Sequence, residues 1–170
     1  MARLHSLTYG PALRQAINGA GVRIWVSSYV VSFNFRKKND LINIIMNSIR
    51  SQLEKGLDIR MLIDRPRLHK TNYHVNKFLM RRLMEWRIPF WVAPARTTCH
   101  AKVVLIDDNT AFLGSHNLAR SSFKNPLELS IETDQADVIS GVTRWFEGKF
   151  QDPAFEYFPP GDYVISDIYP

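Results

Sequence analysis

Two periods of apolar and polar residues alternate along this chain. From Pro11 to Ala20 the spacing is helical, with a proline in the first turn and Gly19 and Gly21 as the stop. Val22–Val30 is dense in β-branched and aromatic residues and predicts a buried strand. Asn39 or Asp40 can cap a helix running to about Glu54, with Leu41, Ile44, Ile45, Ile49 and Leu53 on its apolar stripe and Gly56 closing it. Leu57–Ile63 reads as the next strand, Asn72 to Trp86 as a third helix, and Ile88–Val92 as a short strand. His100–Asp107 and Thr110–Leu113 read as strands joined by the two-residue turn Asp108-Asn109. Leu118–Phe123 suggests a short helix. Residues 127–132 alternate, Leu127, Leu129 and Ile131 opposite a polar face of Glu128, Ser130 and Glu132. Gln135–Gln151 predicts a last helix with Val138, Val142, Trp145 and Phe146 on one side, a core or dimer-packing stripe.

This β-α-β-α-β alternation implies an α/β fold: a mixed β-sheet flanked by helices on both faces. With 170 residues, no repeat and no linker-like stretch, it predicts a single domain over residues 1–150. The remaining residues, 151–170, form an acidic, aromatic, proline-bearing tail. Its composition fits packing on its own domain, latching a partner or shielding a basic cleft equally well.

Composition narrows the class. Hydrophobic content of 45% and charged content of 22% are ordinary for a globular chain and exclude disorder as the main story. No apolar run approaches the roughly 18 residues of a membrane span, and polar residues interrupt the N-terminus too early for a signal-peptide core. A single cysteine, Cys99, forms neither an internal disulfide nor a cysteine-rich zinc site. These features predict a soluble, cytoplasmic protein. Net charge is +6, unevenly spread. Through Lys102 there are 18 basic and 5 acidic residues; beyond it there are 4 basic and 11 acidic. A cationic surface that attracts a polyanion follows from this asymmetry, as does an acidic end that folds back over a basic beginning.

The chemistry concentrates between His100 and Glu128. On a strand, His100 and Lys102 project together, while Asp107 has the opposite parity and stays away from their substrate atom. The return strand leads into Gly114-Ser115-His116-Asn117, so the hairpin brings an imidazole, an ammonium, a hydroxyl and an amide to one end of the sheet. An imidazole can attack phosphorus while such donors hold the non-bridging oxygens. Nothing in the stretch has the ligand pattern of a magnesium or zinc site, so neither metal nor cofactor is expected.

His100-x-Lys102-x4-Asp107-x6-Gly114-Ser115-x-Asn117 matches the HKD signature of the phospholipase D superfamily, whose six fixed positions recur by chance on the order of 10⁻⁸ per starting point. Gly56-Leu-Asp-Ile-Arg-Met-Leu-Ile-Asp64 also resembles a segment that precedes the family's first active-site loop. The chain is similar to the single-motif, Nuc-type endonucleases over most of residues 10–150. That resemblance implies a two-step, metal-independent transfer. One histidine forms a phosphohistidine, a second protonates the leaving oxygen, and water then releases the phosphate. His5, His69, His74 and His116 lie outside any second motif, so the resemblance further implies a symmetric homodimer with one composite site.

The resemblance makes His100 and Lys102 catalytic. Ser115 becomes a phosphate donor, and Asn117 becomes both a donor and a cap for the short helix. Asp107 belongs to the signature with a structural or supporting role, such as fixing the Asp108-Asn109 turn. Glu128, in Asn125-Pro-Leu-Glu128, falls where relatives carry an acid expected to accept a hydrogen bond from the catalytic imidazole. His116, at the signature's variable position, is expected to be packed or solvent-exposed, and Cys99 an inert core thiol. Arg36-Lys37-Lys38 and Arg65-Pro-Arg67-Leu-His-Lys70 read as loops that track phosphates, and Arg81 and Arg82 as a solvated helix face. The expected activity is endonuclease action on DNA or RNA, away from membranes. A lipid phosphodiesterase, and a nucleic-acid-binding subunit without turnover, are the alternatives.

Overall fold

The computed structural model describes residues 1–32, 39–67, 70 and 72–161. The basic run Arg36-Lys37-Lys38, Leu68, His69 and the tail from residue 162 onward lie outside the described residues. Fifteen elements follow in order: β1 (Ala2–His5), α1 (Tyr9–Gly19), β2 (Arg23–Ser28), β3 (Val31–Ser32), α2 (Leu41–Glu54), β4 (Asp58–Ile63), α3 (Tyr73–Glu85), β5 (Phe90–Val92), β6 (Val103–Ile106), β7 (Thr110–Gly114), β8 (Leu118–Ala119), α4 (Arg120–Phe123), β9 (Ser130–Thr133), α5 (Ala136–Gln151) and β10 (Glu156–Phe158).

Eight strands form one mixed sheet in the order β1-β9-β7-β6-β2-β4-β5-β10. β2, β4 and β5 run parallel, joined by α2 and α3; every other pair is antiparallel. Strand alternation divides the apolar residues between two faces. Ile24, Val26, Ile59, Met61 and Ile63 bury against α1, α2 and α3, while Trp25, Leu62 and Leu105 pack against Ile139, Val142 and Phe146 of α5. The sheet is therefore covered by helices on both sides, as the β-α alternation implies. The α2 stripe is rotated from the expected one: Ile42, Ile45, Met46 and Ile49 are buried, and Leu41 and Leu53 only flank them. Gly56 ends this helix at φ 90°, its N–H donating to Leu53 O and that of Leu57 to Gln52 O, a termination that calls for a residue without Cβ.

Several expected elements are redrawn. The strand expected from His100 begins at Val103, because the ladder with β2 stops at Ser27↔Val103. The hairpin turn spans three residues, with Asp107 itself at φ 52°, a left-handed conformation that aspartate tolerates. The short helix expected over Leu118–Phe123 splits into β8, paired parallel with β3, and the single turn of α4. The first part of the expected tail packs on its own domain: β10 adds an edge strand to β5, with Phe158 stacked on Phe90 at 4.7 Å. Before and at the start of β9 the expected burial is inverted. Ser130 is buried, while Leu129 is 53% and Leu127 90% exposed. No helix among the described residues is long and apolar enough to cross a membrane.

Candidate functional site

Three chain segments converge at one end of the sheet: the exit of β2, the approach to β6 and the exit of β7. Gly114 N donates to Lys102 O at 3.3 Å, which puts the two halves of the motif side by side. His100 is exposed and Lys102 buried. The Lys102 ammonium donates to His100 Nδ1 at 3.0 Å and to His100 O at 2.6 Å. Burial pushes the Lys102 pKa down, with the Glu128 carboxylate opposing. Beneath the imidazole lies Tyr29, its ring 4.8 Å from that of His100, and the Lys102 ammonium stands 5.5 Å from the same phenol ring.

Tyr29 and the 99–102 segment are held by a buried polar bracket that reading the motif alone does not reveal. Asp64, wholly buried at the end of β4, accepts the Cys99 N–H at 2.7 Å and the Asn72 side-chain amide at 2.5 Å, with Arg67 at 3.5 Å. Asn76, equally buried on α3, donates to Tyr29 O at 2.9 Å and Asp64 O at 3.0 Å. Burial raises the Asp64 pKa, against the pull of these donors and of Arg67. The available signal was a lone carboxylate closing the apolar run Met61-Leu62-Ile63, since an acid in such a place needs partners. Cys99 is half-buried against the α5-side core, and burial raises its thiol pKa.

The remaining motif residues divide. Asn117 does not cap α4; its Oδ1 accepts the Val30 N–H at 3.3 Å, and its backbone N–H is taken by Ser122 Oγ at 3.0 Å. It thus ties the exit of β7 to the loop carrying Tyr29. Ser115 sits at the same end, but its hydroxyl pairs with the Leu129 backbone, accepting from N at 2.9 Å and facing O at 3.3 Å. Glu128 does not accept the expected bond from the imidazole: His100 Nδ1 receives Lys102 instead, and Glu128 acts through its charge on Lys102 and His116. With Tyr29, Asn117, Ser121, Ser122 and Asn125 it lines a cavity of about 310 Å³, to which Val30 and Ala119 add apolar walls. His116 is packed inside the fold.

Asp107 is not brought to this site. At the opposite end of the hairpin its carboxylate accepts the N–H groups of Gly21, Val22 and Arg23 at 3.1, 2.8 and 3.0 Å, so it fixes the start of β2 rather than its own turn. Partial burial pushes its pKa up, but these three donors and the Arg23 charge outweigh that and hold it below the usual carboxylate value. Among the flanking cations, Arg65 pairs with Glu156 and Arg67 reaches Thr98, Ala95 O and Asp64. Among the described residues no cluster of His, Cys, Asp and Glu has a metal-binding arrangement. The site's chemistry is a lysine-bonded imidazole at an open surface, with amide and hydroxyl groups behind it.

The chain matches known proteins in family and in fold. Residues 13–150 match the family described as cardiolipin synthase, PLD-like domain. Cardiolipin synthase A of Pseudomonas aeruginosa is 28% identical over 147 residues, covering 85% of this chain. The chain spans only 28% of that relative's length. In fold, it is similar to Nuc from Salmonella typhimurium, a phospholipase D family member (TM-score 0.73, 16% identity, 94% of this chain and 98% of that one). NucT from Helicobacter pylori is alike to the same degree (TM-score 0.73, 19% identity, 93% and 99%).

Proposed function

The chain belongs to the family of PLD-like domains, and from that premise we propose that it is a metal-independent phosphodiesterase, an endonuclease hydrolysing DNA or RNA through a phosphohistidine on His100. The observation that supports this most is the desolvated Lys102 ammonium within hydrogen-bond reach of an exposed imidazole. A neutral ring that accepts from an ammonium at Nδ1 carries its own proton on Nε2. Phosphate oxygens compete for the Lys102 N–H groups and release Nδ1 to take the ring proton, with Glu128 as the neighbouring carboxylate to favour it. Nε2 is then free to attack phosphorus, forming P–N as the bond to the leaving oxygen breaks. Lys102 and the Asn117 amide hold the non-bridging oxygens. A second histidine ring, entering as imidazolium, gives one proton to the leaving oxygen and becomes neutral. It then takes one from the water that attacks phosphorus and breaks P–N.

The second imidazole is the His100 of a second copy, so the working unit is a homodimer. A surface suited to it adjoins the site. Leu4 of β1 is 70% exposed beside Ile131 of β9, and exposed Leu129 and Leu127 precede that strand, whereas Val103 and Leu113 on the neighbouring strands pack partly against the α5-side core. Leu129→Lys is expected to shift the solution mass from dimer to monomer, with cleavage falling in step and fold stability changing by less than about 0.5 kcal/mol. A monomer that cleaves as fast as wild type rejects the composite site.

Incubating the purified chain with single- and double-stranded DNA and RNA in EDTA tests the chemistry. Cleavage without metal is expected, and His100→Ala is expected to abolish it. Activity only on adding a divalent metal overturns the mechanism. Identity to cardiolipin synthase A favours a second reading, a lipid phosphodiester as substrate; head-group release from phosphatidylcholine vesicles without nucleic-acid cleavage would select it. Oligonucleotide bound in a salt-dependent way but intact after hours would mark a binding subunit instead.

A further inference from the structure

His116 takes no part in this chemistry, and its surroundings are those of a wedge. The ring is 1% exposed. Its Nδ1 lies 2.8 Å from Ser130 Oγ on β9, and its face stacks on Tyr9 of α1 at 4.3 Å and 7°. Nε2 has no hydrogen-bond partner among the described residues. The residues around it are clamped to the same strand edge. Ser115 N donates to Leu129 O at 3.0 Å, Leu129 N donates to Ser115 Oγ, and a Cβ at Gly114 would stand 2.3 Å from Ser130 Oγ, so only glycine lets the chain come this close.

We propose that His116 is a positioning residue, a neutral ring wedged between Ser130 and Tyr9 that sets the Gly114–Asn117 turn against β9 and thereby aims the Asn117 side chain. The proposal rests on reading the His100 end as a phosphodiesterase site. A charged ring would need acceptors for two N–H groups; Ser130 Oγ faces Nδ1 at 2.8 Å, while the Ser6 carbonyl, the other acceptor near the ring, makes no hydrogen bond to Nε2, so protonation strains the fit. Burial lowers its pKa and neighbouring His5 adds to that, while the Glu128 carboxylate and the Ser6 carbonyl oppose. The other groups packed on it are the Tyr9 phenol, which burial keeps protonated, and Ser130; His5 is itself taken by Glu132 at 2.8 Å and by Thr8. The stabilisation from the neutral ring is fully present above the ordinary imidazole range. It is lost as pH falls below that range towards the depressed folded value.

The test separates positioning from bulk stability. His116→Phe keeps the stack on Tyr9 and removes the bond to Ser130; His116→Gln returns a polar atom that does not titrate. With bis(p-nitrophenyl) phosphate in EDTA, His116→Phe is expected to lower kcat about tenfold at nearly constant KM. His116→Gln should recover most of the loss, and His116→Phe should add nothing on an Asn117→Ala background. A multiplicative loss in that double variant, or equal damage by Phe and Gln, overturns the proposal. Histidine-labelled NMR reads the ring without any substrate. One dominant neutral tautomer is expected to persist to lower pH than in a solvent-exposed histidine, with its Nδ1 signal moved by Ser130→Ala. A ring that titrates like a solvent-exposed histidine overturns the proposal whichever way the assay goes, whereas wild type inert on every phosphodiester overturns only the phosphodiesterase reading.

Discussion

The β6–β7 hairpin carries motif residues at both ends, and the two ends live under opposite conditions. At one, the Asp107 carboxylate is met by three backbone N–H groups and sits below its ordinary pKa, a satisfied ion that locks the entry of β2. At the other, the Lys102 ammonium is buried with an imidazole and a carbonyl as its hydrogen-bond partners, and burial works against its charge. Partners that saturate an ion make it structural. A charge kept desolvated and incompletely answered is ready for an incoming anion. Motif membership alone does not separate these two roles; their partners do.

Lys102→Met probes the contrast most strongly. It is expected to lower kcat about 10²–10³-fold with stability unchanged or slightly raised, because removing an incompletely paired buried charge takes away its desolvation cost. A matching loss of stability in chemical denaturation would show that Lys102 is as structural as Asp107. Asp64→Ala strikes the support of the same end. It leaves the Cys99 N–H without its acceptor and the Asn72 amide with only the Arg65 carbonyl, for a loss of about 3 kcal/mol in urea denaturation, and it slackens the segment holding His100, so activity per folded molecule is expected to fall too. Asp107→Ala is the mildest. It should cost about 1–2 kcal/mol and leave activity per folded molecule intact. Since the Asp107 pKa is depressed in the folded state, its contribution is present above the ordinary carboxylate pKa and disappears as pH falls through the folded value. The acid limb of stability should therefore flatten in the variant.

The parts legible in sequence were those written locally. The helix periods, the apolar strands β2 and β4, and the HKD run need only neighbours in the chain, and with them the sheet, its two helical layers and the pairing of His100 with Lys102 could be read. What escaped was written across the chain. Ala2–His5 has no strand signature; it is a strand because β9 lies beside it. Glu156–Phe158 is likewise fixed by Phe90 and β5. Ser130 and Glu132 look like a solvated face, but His116 and His5 answer them from distant segments, and this turns the leucines outward. The Glu128 bond to the imidazole is absent for a local reason: Lys102, two residues on, occupies Nδ1 of that ring.

The Asp64–Asn76 bracket also bears on engineering. The run from His100 to Asn117 is contiguous, eighteen residues, and so looks portable. Its geometry is not. The amide ahead of the histidine is anchored by a carboxylate 35 positions earlier, and the aromatic platform under the ring hangs from an asparagine on a separate helix. A graft of the hairpin into another scaffold would carry these side chains but not the jig, and a transplant that keeps both has to include the strand ending at Asp64 and the helix bearing Asn76.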